Sequence, residues 1–484
     1  MLHSLMKNAK YASWQESHTF DNCKLNRKDY GKFLANYLIG EKDGFVLNLN
    51  GSWGTGKTEF LKRFYVELMD RGHPTIYIDA WESDFSQEPL TVVASELLSQ
   101  LERLTEGAIS DGVVAEVKRA LGKVLKGTLV GFAGLVSAKL LNDASIGMEA
   151  TNKILEEAPQ NITERLAKDY HNQIDAIYRV RKALGDLSES LKMVNGSSLP
   201  VIVLIDELDR CRPTYAIEML EVIKHFFSIK NFVFVIATDT EQLCHSITSI
   251  YGDEFDSSQY LKRFFNRKSS LPTPNIDEYL STKIDKSISY TSVYVYPELG
   301  STPTLSKNIA LNIAYLAAAY HLKIRDVDQL LDKVYSCLRT ISHIATSKKI
   351  SQHVNIVALI VGLIEQDFNM DSYHKRRDYQ PFITPPLEDT KLSDDMAVSL
   401  YIKLCTESVL LKENHQDGVY GHSIYRAPPT REHYNDIKRQ GASSLLSQVL
   451  YSLASLADKY EGQNIKYWLW SDMKSLIELA GTFE

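Results

Sequence analysis

Cysteine is scarce in this 484-residue chain, and what there is lies scattered. Cys23, Cys211, Cys244, Cys337 and Cys405 are odd in number and form no CxxC pair. That spacing serves neither a disulfide framework nor a thiolate zinc site, and it suits a reducing cytosol, so a cytoplasmic location is expected. The opening residues MLHSLMKNAKYASWQESHTF hold no apolar run of the kind a signal peptide needs, so no leader is expected. No unit of solenoid or propeller length repeats. Positive charge is not in excess: Lys plus Arg is 54 against 61 for Asp plus Glu, a net charge of −7. This excludes a globally basic nucleic-acid binder but leaves room for a local basic patch. Gly 24 and Pro 14 are too few for a collagen-like or broadly disordered chain.

Long hydrophobic runs are also lacking. The nearest approach is VLKGTLVGFAGLVSAKLL at 124–141, where only residues 127–138 separate Lys126 from Lys139. A bilayer span needs about 20 apolar residues, so no true transmembrane helix is expected. Two readings stay open for this segment. One is a buried helix of an insertion; the other is a membrane-touching or self-associating helix, helped by Gly127 and Gly131 at GxxxG spacing.

The length is enough for two to four domains. Near the start, Tyr30, Phe33, Leu34, Tyr37 and Leu38 step at helical spacing within 28–39. Phe45-Val46-Leu47-Asn48-Leu49 reads as a strand, 51–58 as a Gly-rich turn, 59–71 as a helix and 75–78 as a second strand. Strand, turn, helix, strand is a βαβ unit and implies a parallel sheet. Residues 88–195 pattern as helices. Apolar runs at 201–205 and 232–237 suit central strands buried on both faces. Beyond Pro272-Thr-Pro274 the pattern reads as helices and loops, with 366–393 a polar loop.

Gly51-Ser52-Trp53-Gly54-Thr55-Gly56-Lys57-Thr58 matches GxxxxGK[ST] in full, after a strand and before a helix. Glycines let successive backbone N–H groups face phosphate oxygens, and the helix N-terminus adds partial positive charge. Lys57 is expected to reach the β- and γ-phosphates, and Thr58 to ligate Mg²⁺ through its hydroxyl. The strand Val201–Ile205 runs into Asp206-Glu207. A carboxylate there sits at the C-terminal edge of the sheet, so Asp206 is expected to hold Mg²⁺ through its water shell and Glu207 to polarise the attacking water. Asp239 ends the next strand as either a water-orienting group or a plain helix N-cap. Arg263, Arg267 and Arg325 are candidates to place a cation on the charge that develops during phosphoryl transfer, in cis or from a neighbouring subunit. No NKxD guanine-reading motif and no GxSxG nucleophile elbow occur in a suitable place.

Taken together these residues resemble the KAP P-loop NTPases, a branch of the additional-strand ATPase group. The resemblance runs over about 21–345 and rests on Leu25-Asn26-Arg27, Trp53-Gly54 inside the loop, Asp79-Ala80-Trp81, Asp206-Glu207-Leu208-Asp209-Arg210-Cys211, Asp239, Tyr260-Leu261 and Arg325-Asp326. Glu207 stands where the family often has a second Asp, and only 124–141 approaches the two membrane helices that many members carry. The resemblance implies ATP rather than GTP, Mg²⁺, a helical-lid role for Arg325, and coupling of nucleotide state to oligomer assembly or an effector protein. Its bacterial members are associated with phage exclusion and defence.

The expected fold is α/β: a P-loop NTPase with a parallel sheet flanked by helices, a helical insertion between the Walker A and Walker B segments, and helical C-terminal domains. The expected layout is an arm at 1–20, a P-loop core at 21–275 with the insertion at about 88–195, a helical lid at 276–345, and a helical domain of unassigned role at 346–484. The function expected is Mg²⁺-dependent ATP hydrolysis. Two alternatives stand beside it: a nucleotide-gated protein-binding switch with little hydrolysis, and a nucleic-acid-linked ATPase using His374-Lys375-Arg376-Arg377 with Tyr373 and Tyr379 as stacking rings.

Overall fold

The computed structural model describes residues 4–41, 44–86, 89–104, 178, 181–182, 184–189, 191–192, 197–226, 229–272, 275–284, 289–300, 304–378, 391–406, 410–416, 419–425, 444–458 and 465–482. The segment 124–141 and Tyr379 lie outside them, so neither the membrane-contact reading nor that stacking ring is addressed. The chain forms two compact units, Met1–Thr273 and Pro274–Glu484.

The first unit is built on five strands: β1 (Phe45–Asn50), β2 (Thr75–Asp79), β3 (Val201–Asp206), β4 (Phe232–Thr238) and β5 (Arg267–Ser270). They pair in the order β2-β3-β4-β1-β5, all in parallel. Every residue of β3 and β4 is buried, as their unbroken apolar runs require of strands covered on both faces. Strand β4 lies between β1 and β3, so one strand separates the phosphate loop's strand from the strand that ends in Asp206. In register Asp79 faces Asp206 and Asn50 faces Thr238. The loops after β1, β2, β3 and β4 therefore leave from one edge.

Helices pack on this sheet. Lys28–Ile39 matches the expected 28–39, and Lys57–Asp70 begins two residues earlier than its apolar stripe suggested. Pro213 opens the helix Pro213–Phe226 at its first turn. Pro89–Leu104 is helical, within the expected insertion. Residues 4–20, the described part of the expected arm, contribute to the core of the first unit. Leu5, Met6 and Phe20 are buried, and Tyr11 and Trp14 stack at 4.2 Å. Trp14 meets Tyr65 and Tyr77 edge-on at 5.4 and 5.1 Å.

The second unit is mainly helical, including Leu305–Ala319, Ile324–Lys348, Ile356–Asp367 and Trp470–Ala480. The expected boundary at 345/346 falls inside Ile324–Lys348. The unit also carries strands that the hydropathy pattern did not reveal. β6 (Val293–Tyr296), β7 (Ser351–Asn355) and, after the pairs β8 (Lys391–Ser393) with β9 (Met396–Ala397) and β10 (Leu410–Gln416) with β11 (Val419–Tyr425), β12 (Ile465–Tyr467) complete the set. β12, β7 and β6 form a parallel sheet. Its strands are only three to five residues long, too short for a period of two to show. Among the described residues no helix is long and apolar enough to cross a membrane.

Candidate functional site

The phosphate loop follows β1 directly. Gly54 and Gly56 have φ of 78° and 81°, a region that costs any residue with a Cβ. A Cβ on Gly56 would also stand 3.2 Å from Leu25 Cδ1 and 3.4 Å from the Arg27 guanidinium. Lys57 opens the helix and is 8% exposed. Its Nζ donates to the Gly51 carbonyl at 2.7 Å and lies 3.6 Å from Asp209 Oδ2. Thr58, one residue on, donates its hydroxyl to Glu207 Oε1 at 3.2 Å.

Asp206 ends β3, completely buried. Tyr77 OH donates to its Oδ2 at 3.0 Å and the Glu207 N–H to its Oδ1 at 2.9 Å. Burial pushes this carboxyl up to about 6, against the pull of the Thr58 and Tyr77 hydroxyls. Glu207 leaves the strand with φ 59°, a left-handed conformation that costs a non-glycine residue about 1 kcal/mol or more. That turn leads into Leu208–Arg210 and carries the Glu207 carboxylate across to Thr58. Burial raises the Glu207 pKa, Arg210 opposes this, and Asp79 adds to it. Arg210 pairs with Glu207 Oε1 at 2.9 Å while its guanidinium lies 5.6 Å from the Trp81 ring centroid.

Asp239 performs the capping role and more. One oxygen accepts from the N–H groups of Glu241 and Gln242, and the other from the Trp53 N–H at 3.1 Å, inside the phosphate loop. Three further supports were not assigned roles from sequence. Asp209 accepts from Trp53 Nε1 at 2.7 Å. Arg27, 2% exposed, donates to the carbonyls of Gly56 at 3.3 Å and Pro272 at 2.8 Å, and burial holds it down to about 10. Asn50 Oδ1 accepts from the Thr240 N–H at 3.0 Å. Each joins residues far apart in sequence, so no local pattern announces it; only the family-like strings around Arg27 and Asp209 drew attention to these positions.

The arginine candidates lie at exposed positions. Arg263 and Arg267 are exposed, and neither hydrogen-bonds or pairs with the phosphate loop, Asp206 or Glu207 among the described residues. Arg267 faces Leu47, three residues short of the edge, about 10 Å by strand rise. Arg325 is exposed in the first turn of Ile324–Lys348, in the second unit. The basic run at 374–377 is partly consumed by the core. Arg376 is 1% exposed and donates to both oxygens of buried Glu365, at 2.8 and 2.6 Å. Tyr373 is buried against Trp470. Two groups expected to be free for nucleic acid are thus committed internally, leaving His374, Lys375 and Arg377 at the surface.

The donor set fits a divalent cation. Thr58 and Asp206 offer hard oxygen ligands, and beside them Asp209 faces Lys57 and Glu207 faces Arg210. Among the described residues no group of three or more His, Cys, Asp or Glu side chains gathers to hold a metal. A cation here would complete its shell from phosphate and water, the usual Mg²⁺ arrangement.

A parallel five-stranded sheet with a glycine-rich loop and Lys-Thr at a helix N-terminus defines the P-loop NTPase fold. The sequence model of the KAP family P-loop domain matches residues 27–342, and the chain belongs to that family. No curated protein matches it. Among solved structures it is similar to the Aeropyrum pernix ORC2 protein in ADPNP–ADP complexes, at 12% identity and a TM-score of 0.27, covering 89% of this chain and 94% of that one.

Proposed function

We propose that this protein is a Mg²⁺-dependent ATPase in which nucleotide state controls assembly or an effector. The observation that carries the reading is the junction of the two motifs: the Thr58 hydroxyl bonds the Glu207 carboxylate, next to buried Asp206. In this reading the loop's N–H groups and Lys57 hold the β- and γ-phosphates. Thr58 and Asp206 hold Mg²⁺, which when bound would neutralise phosphate charge. Glu207 takes a proton from the attacking water; the water oxygen bonds the γ-phosphorus, the bond to the β-γ bridging oxygen breaks, and ADP and phosphate leave. Its burial-raised pKa moves the carboxylate toward the operating pH, where a general base is most effective. Glu207→Gln is expected to keep ATP binding and lose turnover by about 10²–10⁴-fold; equal turnover in the variant overturns the assigned base.

The exposed Arg263 and Arg267 suit donation to a neighbouring copy, so ATP is expected to shift sedimentation toward larger species. Control of phage infection rests on the family resemblance alone. It predicts fewer plaques on cells carrying the wild type than on cells carrying Glu207→Gln.

A second reading, the gated switch, is favoured by the Arg210–Glu207 pair, which ties up one oxygen of the base. It predicts tight ATP binding with negligible phosphate release until Arg210 is removed.

A further inference from the structure

Asp209 lies in the Leu208–Arg210 turn, directed beneath the phosphate loop by the left-handed Glu207. Its side chain is 1% exposed. Among the described residues its hydrogen bond and its ion pair fall on one oxygen: Oδ2 accepts from Trp53 Nε1 at 2.7 Å and stands 3.6 Å from Lys57 Nζ. The other oxygen, Oδ1, is buried and has no hydrogen-bond partner among the described residues. A structural salt bridge would draw Lys57 to hydrogen-bonding distance, about 2.8 Å. Here Nζ instead donates to Gly51 at 2.7 Å and only leans toward the carboxylate. A buried carboxylate this poorly compensated is costly, and such groups persist where function holds them.

We infer that Asp209 is a positioning residue that sets how tightly the loop grips nucleotide phosphate. It shares the charge of Lys57, while the Trp53 indole bond diverts part of its own charge away from that lysine. The inference rests on the phosphate-loop reading above. An incoming polyphosphate competes with Asp209 for the same ammonium, so Asp209 loosens the grip and favours release of product. The indole bond moderates this competition by giving Oδ2 a second donor.

The two side chains then act in opposite directions. Asp209→Asn keeps the volume and an acceptor for Trp53 but removes the charge facing Lys57, so ADP is expected to bind about tenfold more tightly. Trp53→Phe keeps the ring but leaves Oδ2 wholly to Lys57, so ADP is expected to bind several-fold more weakly. In the double variant the Trp53→Phe effect shrinks, because the charge it unmasks is gone. A merely structural role weakens binding in both variants and never tightens it.

The test is calorimetric titration with ADP without divalent cation, on full-length wild type, Asp209→Asn, Trp53→Phe, the double variant and Lys57→Ala, with thermal melts of each. Tighter binding by Asp209→Asn supports the inference; unchanged or weaker binding with an unchanged melt overturns it. Should Asp209→Asn melt early, the double variant, titrated below its melting temperature, decides: a Trp53→Phe effect that shrinks in the Asp209→Asn background supports the inference, and one of undiminished size overturns it. Failure of the wild type to bind ADP removes the phosphate-loop reading and the inference together. Binding by wild type, loss in Lys57→Ala and no change in Asp209→Asn removes only the inference.

Discussion

Asp239 carries two jobs on one carboxylate, and its variants can separate them. Loss of the helix cap in Asp239→Ala is expected to cost about 1 kcal/mol, read by chemical denaturation. Loss of the bond to the Trp53 N–H frees the phosphate loop and is expected to raise KM for ATP. Asp239→Asn keeps a cap acceptor and most of the stability. If its KM moves as little as its stability, the loop bond carries no functional weight. At this scale the sequence shows which residue types matter and not how they meet. Lys57, Thr58, Asp206, Glu207 and Asp239 come together because motif spacing and strand order oblige them to. The ties of Arg27 to Gly56 and of Trp53 to Asp209 span 29 and 156 residues, a tertiary fact with no local signature. Arg263, Arg267 and Arg325 are candidates by charge, and Arg325 also by resemblance; neither ground locates a side chain.

Among the elements, long apolar segments were the legible ones. Strands β3 and β4 lie where their hydropathy puts them. The stretch at 366–393 shows the limit. Its polar composition hides a short helix, Asp371–Lys375, and the buried Arg376, whose guanidinium pairs with Glu365 and lies 5.7 Å from the Trp470 ring centroid. An ion pair satisfies a buried charge with a partner that hydropathy counts as exposed. Removing one member leaves the other charged and unpaired, so Arg376→Ala is expected to destabilise the second unit by about 3–5 kcal/mol. Replacing both, as Arg376→Met with Glu365→Leu, is expected to cost less than Arg376→Ala alone. Denaturation curves check this ordering, and a loss under about 1 kcal/mol for Arg376→Ala would mean the pair is not held in the core.

For the whole molecule, the family match at 27–342 runs past the boundary between units at 273/274 and ends within Ile324–Lys348. The family domain thus includes the first helices of the second unit, while the rest of that unit lies beyond the match. Global stability carries a pH signature from the first unit. His73 is buried, its Nδ1 3.2 Å from the Pro200 carbonyl, and burial lowers its pKa. The unfolded chain takes up this proton near pH 6.5, the folded chain only at lower pH. Between those values the unfolded state binds more protons, so stability falls as pH falls. The wild type is expected to lose stability relative to His73→Gln from pH 7 toward 5.5, and parallel pH profiles would contradict it.

Assembled, Mg²⁺-dependent ATP hydrolysis is read in phosphate release from ATP. The measurement runs the wild type across a range of protein concentrations, with Mg²⁺ or with a chelator in excess. Release is expected only with Mg²⁺, at a rate per subunit that rises with concentration as neighbouring copies supply an arginine. Release that persists in chelator, or tight ATP binding with no release at any concentration, would contradict it.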